Sequence, residues 1–469
     1  MSYQVDKQST ASSDINLSLE VPSAYCSLLD TLEQNGFESW LVGGFVRDSL
    51  RQIKPHDCDI ATQAPWQQVE TLCQKQGYKT YQTGIQHGTL SVNVGNAIVE
   101  VTTFRKESSY SDHRHPDSVE FVDSIITDLA RRDFTINAMA YHPKRGLYDP
   151  FGGREDLISK TIRCVGDPCK RFDEDALRIM RALRFSAQLG FTLEGKTEEA
   201  LFLQRSLLKD IAVERISAEI EKMLCASNIA PVLLRYVDVL GCIIPELVSM
   251  KNFDQRTPYH VYDVLEHTAH VVEYTRPQPT LRWAALFHDS GKPQTFSVDE
   301  QGIGHMYGHP EVSESIFLRA AKQLRLPKRL SQDVALLIRY HDTFPEPTEK
   351  SVRTLYRHLN CRDDLFYDIC NLMRADSRSQ APWTQSRLQT IDEIEACFNR
   401  MQNEHAVFSV KDLAVSGNDI IACGIEPGPC VGTILEQLCK DVEEKRTQNT
   451  RAALIARTRE IIQSTQENG

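Results

Sequence analysis

The sequence predicts an α+β chain in which a head built on a mixed sheet precedes an all-helical body, and three observations predict it. Stretches with the two-residue alternation of strands, SWLV, CDIAT, TLSVNV and NAIVEVTTF, all fall before about residue 165. Beyond Asp167 that alternation almost vanishes, and helical spacing takes over in DALRIMRALRFSAQLG and AEIEKMLC. The 469 residues suffice for roughly two to four domains at ~100–200 residues each.

The elements follow in order. Residues 1–21 are polar and read as a flexible lead-in; an apolar helical pattern runs from Pro22 to Leu32. SWLVGG reads as a strand, FVRDSLR as the start of a helix and CDIAT as a second strand, with further strands in TLSVNV and NAIVEVTTF. The expected division is a head over residues 22–165, a helical neck over 166–230, a helical body over 231–385 and a helical tail over 386–469.

Hydrophobic residues make up 41% and charged residues 25% of the chain, a balance that excludes a disordered or fibrous protein. The 53 basic against 64 acidic side chains leave a net charge of −11. Bulk charge therefore cannot hold a nucleic acid, and any such contact needs local basic patches. No run approaches the ~18 apolar residues of a membrane helix and no signal core opens the chain, so no membrane partner and a cytoplasmic location are expected. Thirteen cysteines without a CxxC pair fit buried reduced thiols.

Gly43-Gly44, Arg47 and Asp48 are followed about ten residues later by Asp57-Cys58-Asp59. Alternate residues of a strand point to one side, so Asp57 and Asp59 present paired carboxylates, a donor set for Mg²⁺. Glu100, in the strand VEVTTF, is a third carboxylate able to complete a site for in-line nucleotidyl transfer. Gly43 and Gly44 at a strand-to-helix turn let backbone N–H groups approach a triphosphate, with Arg47 as a charged clamp. Each piece alone reads as an ordinary turn or strand end; their joint order does not.

LVGGFVRDSL followed by HDCDIAT resembles the signature of the class II nucleotidyltransferases, the branch that holds bacterial CCA-adding tRNA nucleotidyltransferases and poly(A) polymerases, with their polymerase-β-like head. RRDFTINAMA, residues 131–140, resembles the second motif of that family, which implies that Arg132 contacts the triphosphate and Asn137 supports the nucleotide site. YDPFGGREDL, residues 148–157, resembles its head-to-neck linker, and ERISAEIEKML, residues 214–224, its neck helix.

In EDALRIMRALRF, Asp175, Arg178, Arg181 and Arg184 recur every third residue, which places them along one side of a helix while Leu177, Ile179, Leu183 and Phe185 face the core. A carboxylate accepts from the exocyclic amine of cytosine or adenine, and an Arg fork donates to the acceptors on the same edge. Uracil or guanine would set acceptor against acceptor, at ~1–3 kcal/mol. The family's EDxxR motif carries this assignment, with Glu174 orienting the pair and Arg181 and Arg184 near the incoming nucleotide. RKESSYSDHRHP, residues 105–116, resembles the loop that helps family members switch from C to A addition.

His267, His288, Asp289, His309, His341 and Asp376 lie in the helical body, and AALFHDSGKP resembles the core of an HD phosphohydrolase domain. Such imidazoles and carboxylates suit Mn²⁺, Ni²⁺ or Mg²⁺; Asp376 is the expected closing ligand and Asp342 its competitor. RAAKQLRLPKRL, residues 319–330, and residues 445–459 are basic runs without an acid, fit to contact RNA phosphates. The expected reaction is template-independent addition of CCA to the tRNA 3′ end from CTP and ATP, with no DNA partner. The open alternatives are a poly(A) polymerase, an enzyme adding only CC or only A, and an HD phosphohydrolase whose head is a regulatory nucleotide-binding module.

Overall fold

A computed structural model describes residues 18–85, 88–95, 97–107 and 119–467. They divide into two compact units between Pro245 and Glu246.

The first unit is organised by seven strands: β1 (Ser39–Val42), β2 (Cys58–Thr62), β3 (Lys79–Gly84), β4 (Thr89–Val94), β5 (Ala97–Thr103), and, after the hairpin of β6 (Arg105–Glu107) and β7 (Val119–Phe121), β8 (Ala140–His142) and β9 (Gly146–Tyr148). Their order in the sheet is β3-β4-β5-β2-β1-β8-β9. Within this sheet β2 and β5 run parallel and the other pairings among the described residues are antiparallel, so the sheet is mixed. All four residues of β1 are buried because the sheet is covered on both faces. Trp40 and Val42 point to one face and pack with Ala61, Phe104, Leu129 and Ala138. Helix Ser23–Gln34 buries Leu28, Leu29 and Leu32 and packs on β1 and β4. Residues 18–21, read from the sequence as part of a flexible lead-in, are tied down where Leu19 N–H donates to the Tyr141 hydroxyl at 3.0 Å. The C-to-A loop expected over residues 105–116 lies outside the described residues beyond Glu107.

After the sheet the unit is helical. Asp167 caps helix Pro168–Glu174 by accepting from Cys169 N–H, with Pro168 at the first helical position where no N–H is needed. Helices Leu177–Leu189, Gly195–Gln204, Val213–Leu224 and Ile229–Leu240 follow.

The second unit is a helical body whose interior holds Trp283, Phe287, Phe317, Phe366 and Phe398, all fully buried. A smaller core of Val407, Leu413, Ile420, Leu438 and Leu454 joins the tail helices Gly417–Ala422, Pro429–Glu443 and Arg451–Glu467. All thirteen cysteines are free of disulfides. Among the described residues no helix is long and apolar enough to cross a membrane.

Candidate active site

Strand β1 ends at Val42, and the chain turns through Gly43 into helix Gly44–Leu50. Gly43 has φ +68°, the left-handed region that a side chain disfavours. A Cβ there would also lie 3.1 Å from Nη1 of Arg132 and 3.3 Å from Oδ2 of Asp59. The turn needs glycine on both counts, and it brings three sequence-distant motifs to one point.

Asp59 pairs in register with Glu100 on the parallel neighbour β5, so both project to the same face. Asp57 differs from the expectation that it shares the strand. β2 begins only at Cys58, and its ladder with β1 ends at the Val42 and Asp59 pair, because β1 leaves the sheet at Gly43. Asp57 therefore sits in the approach to β2 and is exposed. Burial pushes the Asp59 carboxyl up to about 6; Arg132 opposes this, and the charges of Glu100 and Asp57 add to it. Three like charges converging on a partly buried point favour a hard divalent cation. The three carboxylates do not close to one of the groups whose ligand atoms all lie within 4.8 Å of one another.

Two arginines stand beside these acids. Arg132 donates to Asp128 at 3.3 Å and to the carbonyl of Asn137 at 3.4 Å, while its Nε is buried without a partner. Arg47 donates to the Asn137 side chain at 2.8 Å, and Asn137 donates to Asp133 at 3.1 Å. Asp133 in turn accepts from Arg181 at 2.8 and 2.5 Å and from Phe134 N–H at 2.8 Å. Burial pushes Asp133 up, but the Arg181 guanidinium, Asn137 and Phe134 N–H together hold it at about 2. Arg47, Arg181 and Arg184 also surround one ring, with guanidinium carbons 5.3, 5.4 and 4.0 Å from the centroid of Phe185.

The charge ladder expected along one helix is interrupted. Asp175 has extended backbone angles and lies in the joint between helices Pro168–Glu174 and Leu177–Leu189, where its Oδ1 accepts from Leu177 N–H at 3.1 Å. A short carboxylate that binds its own downstream N–H competes with the helix, and here it breaks it. Arg178 is buried: it donates to Glu174 at 2.7 Å, to the Arg171 carbonyl at 2.9 Å and to the Arg131 carbonyl at 3.0 Å. Glu174 thus holds Arg178 directly. From helix Val213–Leu224, Arg215 donates to Asp175 at 3.2 Å and Glu219 accepts from Arg184 at 2.5 Å.

In the second unit, His267, His288, His309 and His341 each place Nδ1 against a backbone carbonyl, those of Ser379, Ala285, Met306 and Ile338, at 3.3, 2.8, 3.0 and 2.7 Å. A carbonyl only accepts, so Nδ1 is the donor, and Nε2 is left as the ring atom that can turn to a metal. The Nε2 atoms face one another in pairs, His267 with His288 at 3.4 Å and His309 with His341 at 3.2 Å. Asp376 lies 2.9 Å from His267, and Asp289 turns one oxygen to each pair, 3.4 and 3.3 Å from His267 and His288, 3.3 and 3.7 Å from His309 and His341. Lys292 reaches Asp289 at 2.7 Å. Asp342 is exposed and takes no place in the cluster. Facing Nε2 atoms with two carboxylates are the donor set of a divalent metal site, and His267, His288, Asp289, His341 and Asp376 form the groups of potential ligands within 4.8 Å.

Residues 39–163 match the family model of the poly A polymerase head domain, residues 190–250 the probable RNA and SrmB-binding site of polymerase A, residues 258–377 the HD domain, and residues 319–457 the putative tRNA nucleotidyltransferase domain 2. The CCA-adding enzyme of Geobacillus sp. (strain WCH70) is 35% identical over 411 residues, 87% of this chain and 89% of that one. The chain belongs to the CCA-adding enzyme family. The CCA-adding enzyme of Leuconostoc citreum (strain KM20) is 35% identical over 441 residues, 93% of this chain and 95% of that one. The crystal structure of the Bacillus stearothermophilus CCA-adding enzyme in complex with CTP has a TM-score of 0.72 at 28% identity and covers 95% of this chain and 99% of that one.

Within this CCA-adding family member, the sequence reading missed Asp133, Arg215 and Glu219. Each sits in a motif that was recognised, but its role is a contact made across tens of residues, for which one sequence carries no local signal. The basic run of residues 445–459 is also changed by its surroundings. Arg446 and Arg457 pair with Asp441, and Arg451 pairs with Asp419, so much of its charge is answered within the tail.

Proposed function

We propose that the head adds CMP twice and AMP once to the 3′ end of tRNA, from CTP and ATP, without a template. The observation that carries this reading is the convergence of Gly43, Asp59 and Arg132 within about 3.3 Å of one point, beside the Arg47 and Asn137 pair. The unpartnered Nε of Arg132 and the N–H groups of the helix that follows Gly43 provide the donors that a triphosphate takes. Asp57, Asp59 and Glu100 form an all-oxygen donor set that fits Mg²⁺, which when bound stabilises charge on the reacting phosphate and the attacking hydroxyl. The Asp133 network holds Arg47 and Arg181 against Phe185 at one wall of the nucleotide site. Asp175, held by Arg215, reads the exocyclic amine on the Watson–Crick edge and accepts C and A while refusing U and G, and Arg178, held by Glu174 and two backbone carbonyls, braces the joint that carries it.

We further propose that the HD centre holds Mn²⁺, Ni²⁺ or Mg²⁺ and hydrolyses a phosphoester separately from the head. Free cysteines throughout support a reducing, cytoplasmic setting. Asp57→Ala tests the head. It is expected to abolish CMP and AMP incorporation and to leave metal content and any phosphatase activity of the body intact; retained incorporation contradicts the assignment.

A further inference from the structure

Arg132 is held by its neighbours in the chain as well as by its own contacts. Helix Ile125–Ala130 ends just before it, and the last carbonyls of a helix have no partner within the helix. Here two carbonyls at that end are taken from the neck. Arg171 donates from Nη1 to the Ala130 carbonyl at 3.1 Å, and Arg178 donates from Nη2 to the Arg131 carbonyl at 3.0 Å, on the peptide that joins Arg131 to Arg132. Asp133, on the far side of Arg132, accepts from Arg181. Three guanidinium groups therefore grip the chain on both sides of Arg132, from 41, 47 and 48 residues away in sequence. The Arg132 side chain itself goes to Asp128, the Asn137 carbonyl and the edge of Gly43.

Two of these arginines also bracket the joint that carries Asp175. Glu174 accepts at Oε1 from Arg171 at 2.5 Å and at Oε2 from Arg178 at 2.7 Å. The Arg171 carbonyl accepts from Arg178 at 2.9 Å and from Asp175 N–H at 3.4 Å. An ion pair three residues apart in a helix contributes only ~0.2–0.5 kcal/mol by itself. What sets Arg171 apart is where its fork ends: one nitrogen on Glu174, next to the residue that reads the base, and the other on Ala130, two residues from the arginine that takes the phosphates. A planar guanidinium fixes the angle between two acceptors, which the ammonium of a lysine does not.

We propose that Arg171 is a positioning residue that joins the base-reading joint to Arg132, so that a base which fits Asp175 sets Arg132 in place and a base which does not fit displaces it. The proposal rests on the nucleotidyl-transfer reading given above. Asp175 has extended backbone between two helices, so the place of its carboxylate is set by what is bonded to the joint. Bonds from Arg171 to both Glu174 and Ala130 make the joint and the approach to Arg132 one piece. A shift of about 1 Å at reacting groups costs about 100-fold in rate. A wrong base is then refused twice, once by the unpaired edge it leaves at Asp175 and again by the arginine it moves.

The test uses the full chain and initial rates of CMP and UMP addition to a tRNA that ends before the CCA. Arg171→Ala is expected to lower kcat/KM for CTP by about 10- to 100-fold and to cut the preference for CTP over UTP by about tenfold. In an Arg132→Ala background the same change is expected to cost about threefold or less, since losses that run through one group do not add. Equal losses in the two backgrounds, or an unchanged preference for CTP over UTP, overturns the proposal and leaves Arg171 a purely structural bond. Arg171→Lys covers the case in which the alanine variant does not fold. It keeps the charge beside Glu174 and the wild-type Tm but loses the fork, and its preference for CTP over UTP is expected to fall by about threefold; wild-type preference in this variant overturns the proposal. A wild-type chain that adds no CMP to this tRNA overturns the transfer reading instead.

Discussion

Asp133→Asn removes one charge from the centre of the nucleotide wall with almost no change in shape. In the folded head the carboxylate accepts from Arg181 at 2.8 and 2.5 Å, from Asn137 at 3.1 Å and from Phe134 N–H at 2.8 Å. Burial alone would raise its pKa; these partners hold it at about 2. Against an ordinary value of ~3.9 and at ~1.36 kcal/mol for each pH unit between the two values, the folded state prefers the ionised form by about 2–3 kcal/mol. Breaking one side of a buried charge pair costs ~3–5 kcal/mol, so the variant is expected to lose about 2–4 kcal/mol. The pKa is depressed, so this contribution is complete above pH ~4 and disappears as pH falls toward 2. Urea unfolding followed at pH 7 and pH 3 should show a large gap between wild type and variant at pH 7 and a narrower one at pH 3. KM for CTP should rise as well, since Asn137 and Arg181 lose their shared anchor. A gap under about 0.5 kcal/mol at pH 7, or one that does not narrow, would refute the reasoning.

Two further outcomes follow from the same geometry. Gly43→Ala places a methyl between Arg132 and Asp59 and imposes a left-handed conformation costing ~1–2 kcal/mol; CMP incorporation should fall by about 100-fold or more while Tm drops by only a few degrees, and near-normal incorporation would show that the turn does not line the reacting centre. In the body, His288→Ala should lower the bound transition metal measured by elemental analysis after dialysis, with CMP incorporation in added Mg²⁺ unchanged; full metal content in this variant would remove the HD centre as the ligand set.

What could be read from the sequence was what is local. The exposed edge strand β3 and the three-residue strands β8 and β9 are too polar or too short to be read, whereas four strands of the sheet, β1, β2, β4 and β5, are legible from their own residues, and Gly43 carries the signature of its turn. HDSGKP and the spaced histidines marked the body for the same reason. The misplacements have one physical cause, which is that side-chain partners override spacing. The three-residue interval places Asp175 on a helix, yet its carboxylate binds Leu177 N–H and Arg215 and ends the helix first. Arg178 shares that interval but turns inward, because Glu174 one turn earlier and two backbone carbonyls take its guanidinium. The spacing turns Phe185 to the core, where it is buried, but three guanidinium groups lie over its ring. Asp133 left no trace at all beyond its place in RRDFTINAMA, since its importance is a contact with Arg181 made 48 residues away.

The central claim is that this head performs three ordered additions to tRNA and stops. It is met most directly by incubating the chain with tRNAs that end before the first C, the second C or the A, each with one labelled nucleotide at a time. The account predicts CMP on the first two, AMP on the third alone, and no incorporation of UMP or GMP. A long A tract on any of them, or on unrelated RNA, would contradict it.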